Sequence, residues 1–189
     1  MAYATAAEVR TYLNITGTDH DALLTKLLDG ATAAIESYCR RVFVAVTASR
    51  YYQVTEVDGD TLWLDDDLYS LSELLNGDAD ATEITSSYYW LLPRNEGPPF
   101  YQIKLKSSQS WDFTTDGEVK VTGKWGYSET APDDIEHACI RLAAYYYKQR
   151  DAQVFDVTAQ PQQGMITIPK GMPADVKQIL DKYVRDGIA

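Results

Sequence analysis

The chemistry-bearing side chains of this 189-residue chain fall into a few groups. Gly117 to Lys124 (GEVKVTGK) carries the two glycines and the lysine of a phosphate-binding loop. Five residues separate those glycines where four are needed, and Trp125 replaces the Ser or Thr that would hold Mg²⁺. The segment also alternates like a strand, so we read it as structure rather than as a nucleotide site. Asn76, Asp78 and Asp80 have the alternate-oxygen spacing of a calcium loop, but Ala81 stands where the glycine belongs and Ser87 where the bidentate glutamate should be. A polar turn is the expectation. Asp65-Asp66-Asp67 could hold a hard cation, and these acids or Asp112 could serve a carboxylate hydrolase, yet three adjacent acids cannot all point one way on a strand. A solvated hairpin end is expected there. His20 and His137 have no partners at metal-ligand spacing, and a surface charge pair with Asp133 accounts for His137. Cys39 and Cys139 lie at the edges of helical apolar stripes, where cysteine acts as a small hydrophobe. No nucleophile–base–acid set emerges. The sequence does not read as an enzyme, and it calls for no cofactor or metal.

The elements that would position these residues follow from periodicity. Thr5-Ala-Ala-Glu8 is a capping-box pattern opening a short helix that ends around Asn14 to Gly17. Thr18 and Asp21 then open a longer helix whose Leu24, Leu27, Leu28, Ala31, Ala34, Ile35 and Tyr38 form one stripe. Glu36 and Arg40 are spaced for an i,i+4 pair on it. From about Val42 the period drops to two. Tyr101, Ile103 and Leu105 alternate with polar residues, as do Val119, Val121 and Trp125. Asp58-Gly59 marks a hairpin tip. Tyr88 to Leu92 reads as a strand buried on both faces and ended by Pro93. A third helix starts at Thr130-Ala-Pro-Asp-Asp and buries Ile135, Ala138, Cys139, Leu142, Tyr145 and Tyr146. Residues 151–171 read as a loop with a short strand at Met165–Ile168. A last helix opens at Pro173 and buries Val176, Ile179, Leu180, Tyr183 and Val184. The expected fold is α+β, a small helical bundle with an antiparallel β unit inserted between its second and third helices. The expected division is 1–41 plus 128–189 for the helices and 42–127 for the insertion.

Composition narrows the function classes. The chain has 17 Lys plus Arg against 28 Asp plus Glu, a net charge of −11, which argues against a sequence-independent nucleic-acid clamp. No apolar run approaches the roughly 18–20 residues of a membrane span. The N-terminus lacks the basic and apolar stretches of a signal peptide, and two cysteines make no disulfide framework, so a reducing interior is expected. Acidity is uneven: residues 42–127 carry −8, while 1–41 and 128–189 carry −1 and −2. Between Tyr51 and Pro93 stand ten acids and no Lys or Arg. Fourteen of the 22 aromatics are tyrosines. Tyr145-Tyr146-Tyr147 cannot share one helical face, because successive residues step about 100°. Two fit the stripe, leaving Tyr147 toward another surface. The surplus has two readings, a wide core or a subunit contact.

Three stretches resemble one family. Residues 13–43 (LNITGTDHDALLTKLLDGATAAIESYCRRVF) look like the opening of tailed-phage head–tail connector proteins, the adaptor or head-completion family. Residues 125–151 resemble its second block, with a Pro-Asp-Asp-Ile helix start and an aromatic-rich helix, and residues 168–185 its closing helix. The resemblance, to the family's longer members with a β insertion, implies a structural virion protein. Such a protein would be assembled in the host cytoplasm as a homo-oligomeric ring, usually of twelve copies, at the head–tail neck. The ring would sit beneath the portal protein, extend the DNA channel without sequence-specific binding, and receive a stopper or tail-completion protein. No membrane is involved. Carried onto this chain, the closing segment is the expected arm toward the portal, with Ile168, Lys170, Val176, Tyr183 and Arg185 as contacts. Tyr147, Tyr101 and Arg150 are the expected subunit contacts. Val184-Arg185-Asp186 departs from the family's more basic terminus. The rival reading is a nucleic-acid-binding β module whose Tyr and Trp stack bases.

Overall fold

The computed structural model describes residues 2–114, 117–152 and 171–185. The chain divides into two compact units, Met1–Arg40 with Ala131–Ala189, and Arg41–Thr130. The fold is α+β, and chain order places six strands between the second and third helices.

In the helical unit, α1 (Ala6–Leu13) opens on the predicted capping box. The Thr5 hydroxyl accepts the Glu8 N–H, and the Glu8 carboxylate accepts the Thr5 N–H at 2.6 Å. Asn14, in the left-handed conformation at φ 56°, ends it. Helix α2 (Asp21–Cys39) buries Leu24, Leu28, Ala31, Thr32, Ile35 and Cys39, so the seam follows the predicted stripe but takes in Thr32 and Cys39, leaving Ala34 and Tyr38 at its margin. The predicted Glu36–Arg40 pair gives way to other contacts: Arg40 turns left-handed to end the helix, and Glu36 accepts the Tyr3 hydroxyl at 2.6 Å. Helix α3 (Asp133–Ala152) packs against α2 and buries Ile135, Ala138, Cys139, Leu142 and Ala143. Helix α4 (Ala174–Leu180) is shorter than its period predicted and buries Val176 and Leu180.

The β unit is one antiparallel sheet in the order β1 (Val46–Tyr52), β6 (Val119–Trp125), β3 (Thr61–Leu75), β5 (Phe100–Leu105), β4 (Tyr89–Leu92), with β2 (Val57–Asp58) hydrogen-bonded to the start of β3. The Asp58-Gly59 tip turns as expected, with Gly59 at φ 62°. Burial along β6 alternates strictly, as does the inward set Ile103 and Leu105 on β5. A Cβ on Gly123 would lie 2.2 Å from the Ser70 carbonyl oxygen, so only glycine lets β3 pair with β6 there. The long strand β3 bends. Its start pairs with β5, the register shifts between Trp63 and Leu68, and its later half pairs with β6.

Strand β4 differs from its expectation. It is an edge strand with one face in solvent, and Trp90 remains 36% exposed. A run of apolar residues does not distinguish a central strand from one at the end of a sheet.

Candidate functional site

The three adjacent acids of β3 occupy the bend, not a solvated hairpin end. Between Trp63 and Leu68 the ladder is interrupted, which frees successive side chains from strict alternation. Asp65 accepts Arg50 Nη1 at 2.7 Å and the Tyr52 hydroxyl at 2.5 Å. Asp66 accepts Arg50 Nη2 at 2.7 Å, and its other oxygen takes the Asp67 backbone N–H. Asp67 is fully buried, with Arg41 Nη1 3.4 Å away. The Arg41 guanidinium lies 5.2 Å from the Tyr127 ring centroid and 5.9 Å from that of Tyr101, and Arg50 stacks 4.4 Å over Trp125. Burial works to raise the Asp65 carboxyl, but hydrogen bonds from Tyr52 and Arg50 and the Arg50 charge hold it below its usual range. Burial, then the hydrogen bond to Asp65, pushes the Tyr52 hydroxyl up. A general acid needs the opposite shift, so the cluster fits strand fastening better than hydrolysis.

The other sequence motifs resolve into structure. Asn76 Oδ1 accepts the backbone N–H groups of Gly77 and Asp112, at 3.1 and 3.0 Å, and Asp78 accepts that of Thr82 at 2.8 Å. These oxygens build a turn, the Asx geometry of a polar loop. Gly117 to Lys124 enters strand β6 rather than a strand-to-helix turn. His20 sits edge-on to Tyr147 at 5.8 Å, and His137 edge-on to Tyr12 at 6.4 Å, so aromatic contacts take the place of the expected charge pair. Burial raises the Cys139 thiol, which touches the Thr32 hydroxyl at 3.5 Å. Both cysteines are interior hydrophobes.

The predicted contact residues scatter. Ile168 and Lys170, with the Met165–Ile168 strand, lie outside the described residues. Val176 is fully buried within the helical unit and offers nothing to a second molecule, a correction to its expected role. Tyr183 is half-buried and donates to Asp134 at 2.8 Å, and the Arg185 backbone N–H reaches the Cys39 carbonyl at 2.9 Å. Tyr38 donates to Asp181, which pushes its hydroxyl up to about 12, and Arg141 pairs with Asp175. Helix α4 is thus fastened into its own unit along its length.

Tyr147 is corrected as well. It is 9% exposed, more buried than Tyr145 and Tyr146, because it continues the i,i+4 row Ile135, Cys139, Ala143. Arg150 is exposed and stacks 4.5 Å over its ring. Tyr101 is half-buried on the inward-facing side of β5, beside Arg41. Residues 88–90 were expected to expose a spare aromatic, and Trp90 is exposed; sequence reasoning missed the exposed Trp63, for which the signal was the polar Gln102 paired opposite it.

Comparison with known proteins places this geometry in context. The family model described as "Head completion protein" matches residues 2–185. No curated protein matches the chain. The fold is similar to that of a chain from the neck of an empty GTA particle computed with C6 symmetry, with TM-score 0.65, 20% identity, and coverage of 97% of this chain and 90% of that one. A chain from the neck of the native GTA particle computed with C12 symmetry gives TM-score 0.63 and 21% identity over the same shares. A chain of the virion of the native gene transfer agent gives 0.64 and 22%, again over 97% and 90%.

Proposed function

The chain belongs to the head completion protein family, a family of structural proteins rather than enzymes, and from that premise we propose that it forms a ring beneath the portal at the neck of a phage-like particle. The observation that carries this reading is the family match along residues 2–185, supported by a fold shared with neck chains over 97% of the length. In this reading the ring has twelve copies, extends the DNA channel, and offers the portal on one side and a stopper or tail-completion protein on the other. The helices, 1–41 and 128–189, form its frame, and the insertion 42–127 a second surface. The closing segment reaches the portal through Ile168, Lys170, Tyr183 and Arg185, and Tyr101 and Arg150 contribute to contacts between copies. The protein assembles in the host cytoplasm and ends in the virion. Genomic DNA passes an acidic protein that repels phosphate rather than gripping it.

Removing the chain from an otherwise complete assembly tests this. Filled heads and free tails that do not join are the expected products. Tailed, infectious particles without the chain would contradict the proposal.

A further inference from the structure

Charge and aromatic exposure separate across the sheet, whose path ends at β4 on one side and β1 on the other. At the β4 end, Trp90 is exposed with Arg94 Cζ 5.4 Å and Lys106 Nζ 5.6 Å from its ring centroid, so both cations rest on the indole rather than against a carboxylate. Directly paired residues point to the same side of a sheet. Lys104 pairs with Trp90, and Trp63, 38% exposed, pairs with Gln102, which puts them all on one solvent-facing side. At the β1 end, Tyr51 and Val54 are both 60% exposed, and two exposed acids gather on Gln53 between them, Glu56 accepting its backbone N–H at 2.7 Å and Glu118 its side-chain amide at 3.4 Å. Lys120, which pairs with Tyr51, is held by Glu73 at 3.0 Å. The one cation of β1, Arg50, is committed to Asp65 and Asp66.

We propose that the β4 end of one copy docks on the β1 end of the next. An exposed Trp flanked by Arg and Lys has the composition of an interface centre. Its complement is an apolar patch rimmed with acids, and this chain carries one at the opposite end of the same sheet. Two different patches make a head-to-tail contact, which closes into a ring where a self-complementary patch would stop at a dimer. A nucleic acid is the weaker occupant, since residues 42–127 hold six cations against fourteen acids. The inference rests on the ring reading and says which surfaces make the ring.

Charge reversal tests it by native mass measurement under conditions where the wild-type ring forms. R94E/K106E reverses the two cations over Trp90, one exposed and one half-buried, and E56K/E118K reverses the two exposed acids at the β1 end; each alone should need about tenfold more protein to assemble. Their equimolar mixture should recover a ring of alternating copies, because each variant's altered patch then meets the other's. The uncharged change Trp90→Ser should weaken assembly without being rescued by E56K/E118K. A ring formed normally by either charge variant alone, or a mixture that stays unassembled, overturns the docking while leaving the ring reading intact. A wild-type chain that never assembles overturns the ring reading itself. Single-stranded oligonucleotide bound at low salt by the wild type and lost in R94E/K106E, with the ring unaffected, overturns the docking in favour of a nucleic-acid face.

Discussion

The helical unit and the β unit bury polarity differently. Among the described residues, the helical unit encloses one polar side chain, the hydroxyl of Thr32, inside a seam of Leu24, Leu28, Ile35, Ile135 and Leu142. Its charged and phenolic contacts, Tyr38 with Asp181 and Tyr183 with Asp134, lie at its margin. The β unit encloses a whole carboxylate, Asp67, and the amide of Asn76. The cations that answer its acids come from other strands: Arg50 from β1, Lys104 from β5, Lys120 from β6, and Arg41 from the segment before β1. Both units have an apolar core, and the β unit adds to its own a set of polar contacts that exist only once the sheet has formed. The difference teaches that part of the insertion's acidity, at Asp60, Asp65, Asp66, Asp67 and Glu73, serves to fasten neighbouring strands.

The sharpest way to break the contrast is at Asp67. Arg41→Ala leaves a buried carboxylate without its guanidinium and should cost about 3–5 kcal/mol by chemical denaturation. The double change Arg41→Met with Asp67→Leu should recover much of that loss. A single variant as stable as the wild type would mean the pair contributes nothing. In the helical unit Leu28→Ala should cost about 2–5 kcal/mol, by lost burial and the cavity left behind, and no second polar change should restore it. Tyr52→Phe removes one hydroxyl from Asp65 and should cost about 1–2 kcal/mol. The folded Asp65 carboxyl titrates below its unfolded value, so its contribution is complete above about pH 4 and fades as pH falls through the lower folded value. Asp65→Asn should therefore flatten the acid limb of the stability–pH curve. The smallest effect is expected at the α1 cap, where Thr5→Ala should cost about 1 kcal/mol with no change in acid sensitivity of the β unit.

The same contrast explains what could be read from the sequence. Helix α2 was legible because its contacts recur every three or four residues, and a window of one helix contains the pattern. Strands β5 and β6 were legible from alternation, and the Asp58-Gly59 tip from turn chemistry. Asp65 to Asp67 were misread as a solvated end because the partners, Arg50 and Arg41, stand 15 and 26 residues away and declare nothing locally. Strand β4 was misread as doubly buried because its apolar content reflects an exposed aromatic face as readily as a core. The helical triplet shows a finer limit. Assigning Tyr145 and Tyr146 to the seam ignored the drift of the i,i+4 row, which carries Tyr147 inward. The family resemblance, resting on three helical blocks in order, held along the chain, while individual contact residues, Val176 above all, did not follow from it.

The mass of the purified chain in solution, read together with its rotational symmetry in averaged images, tests the central claim most directly. The account predicts a closed ring with a mass twelve times that of the 21.2-kDa chain and matching symmetry. A monomer at every concentration, alone and with the portal, would contradict it.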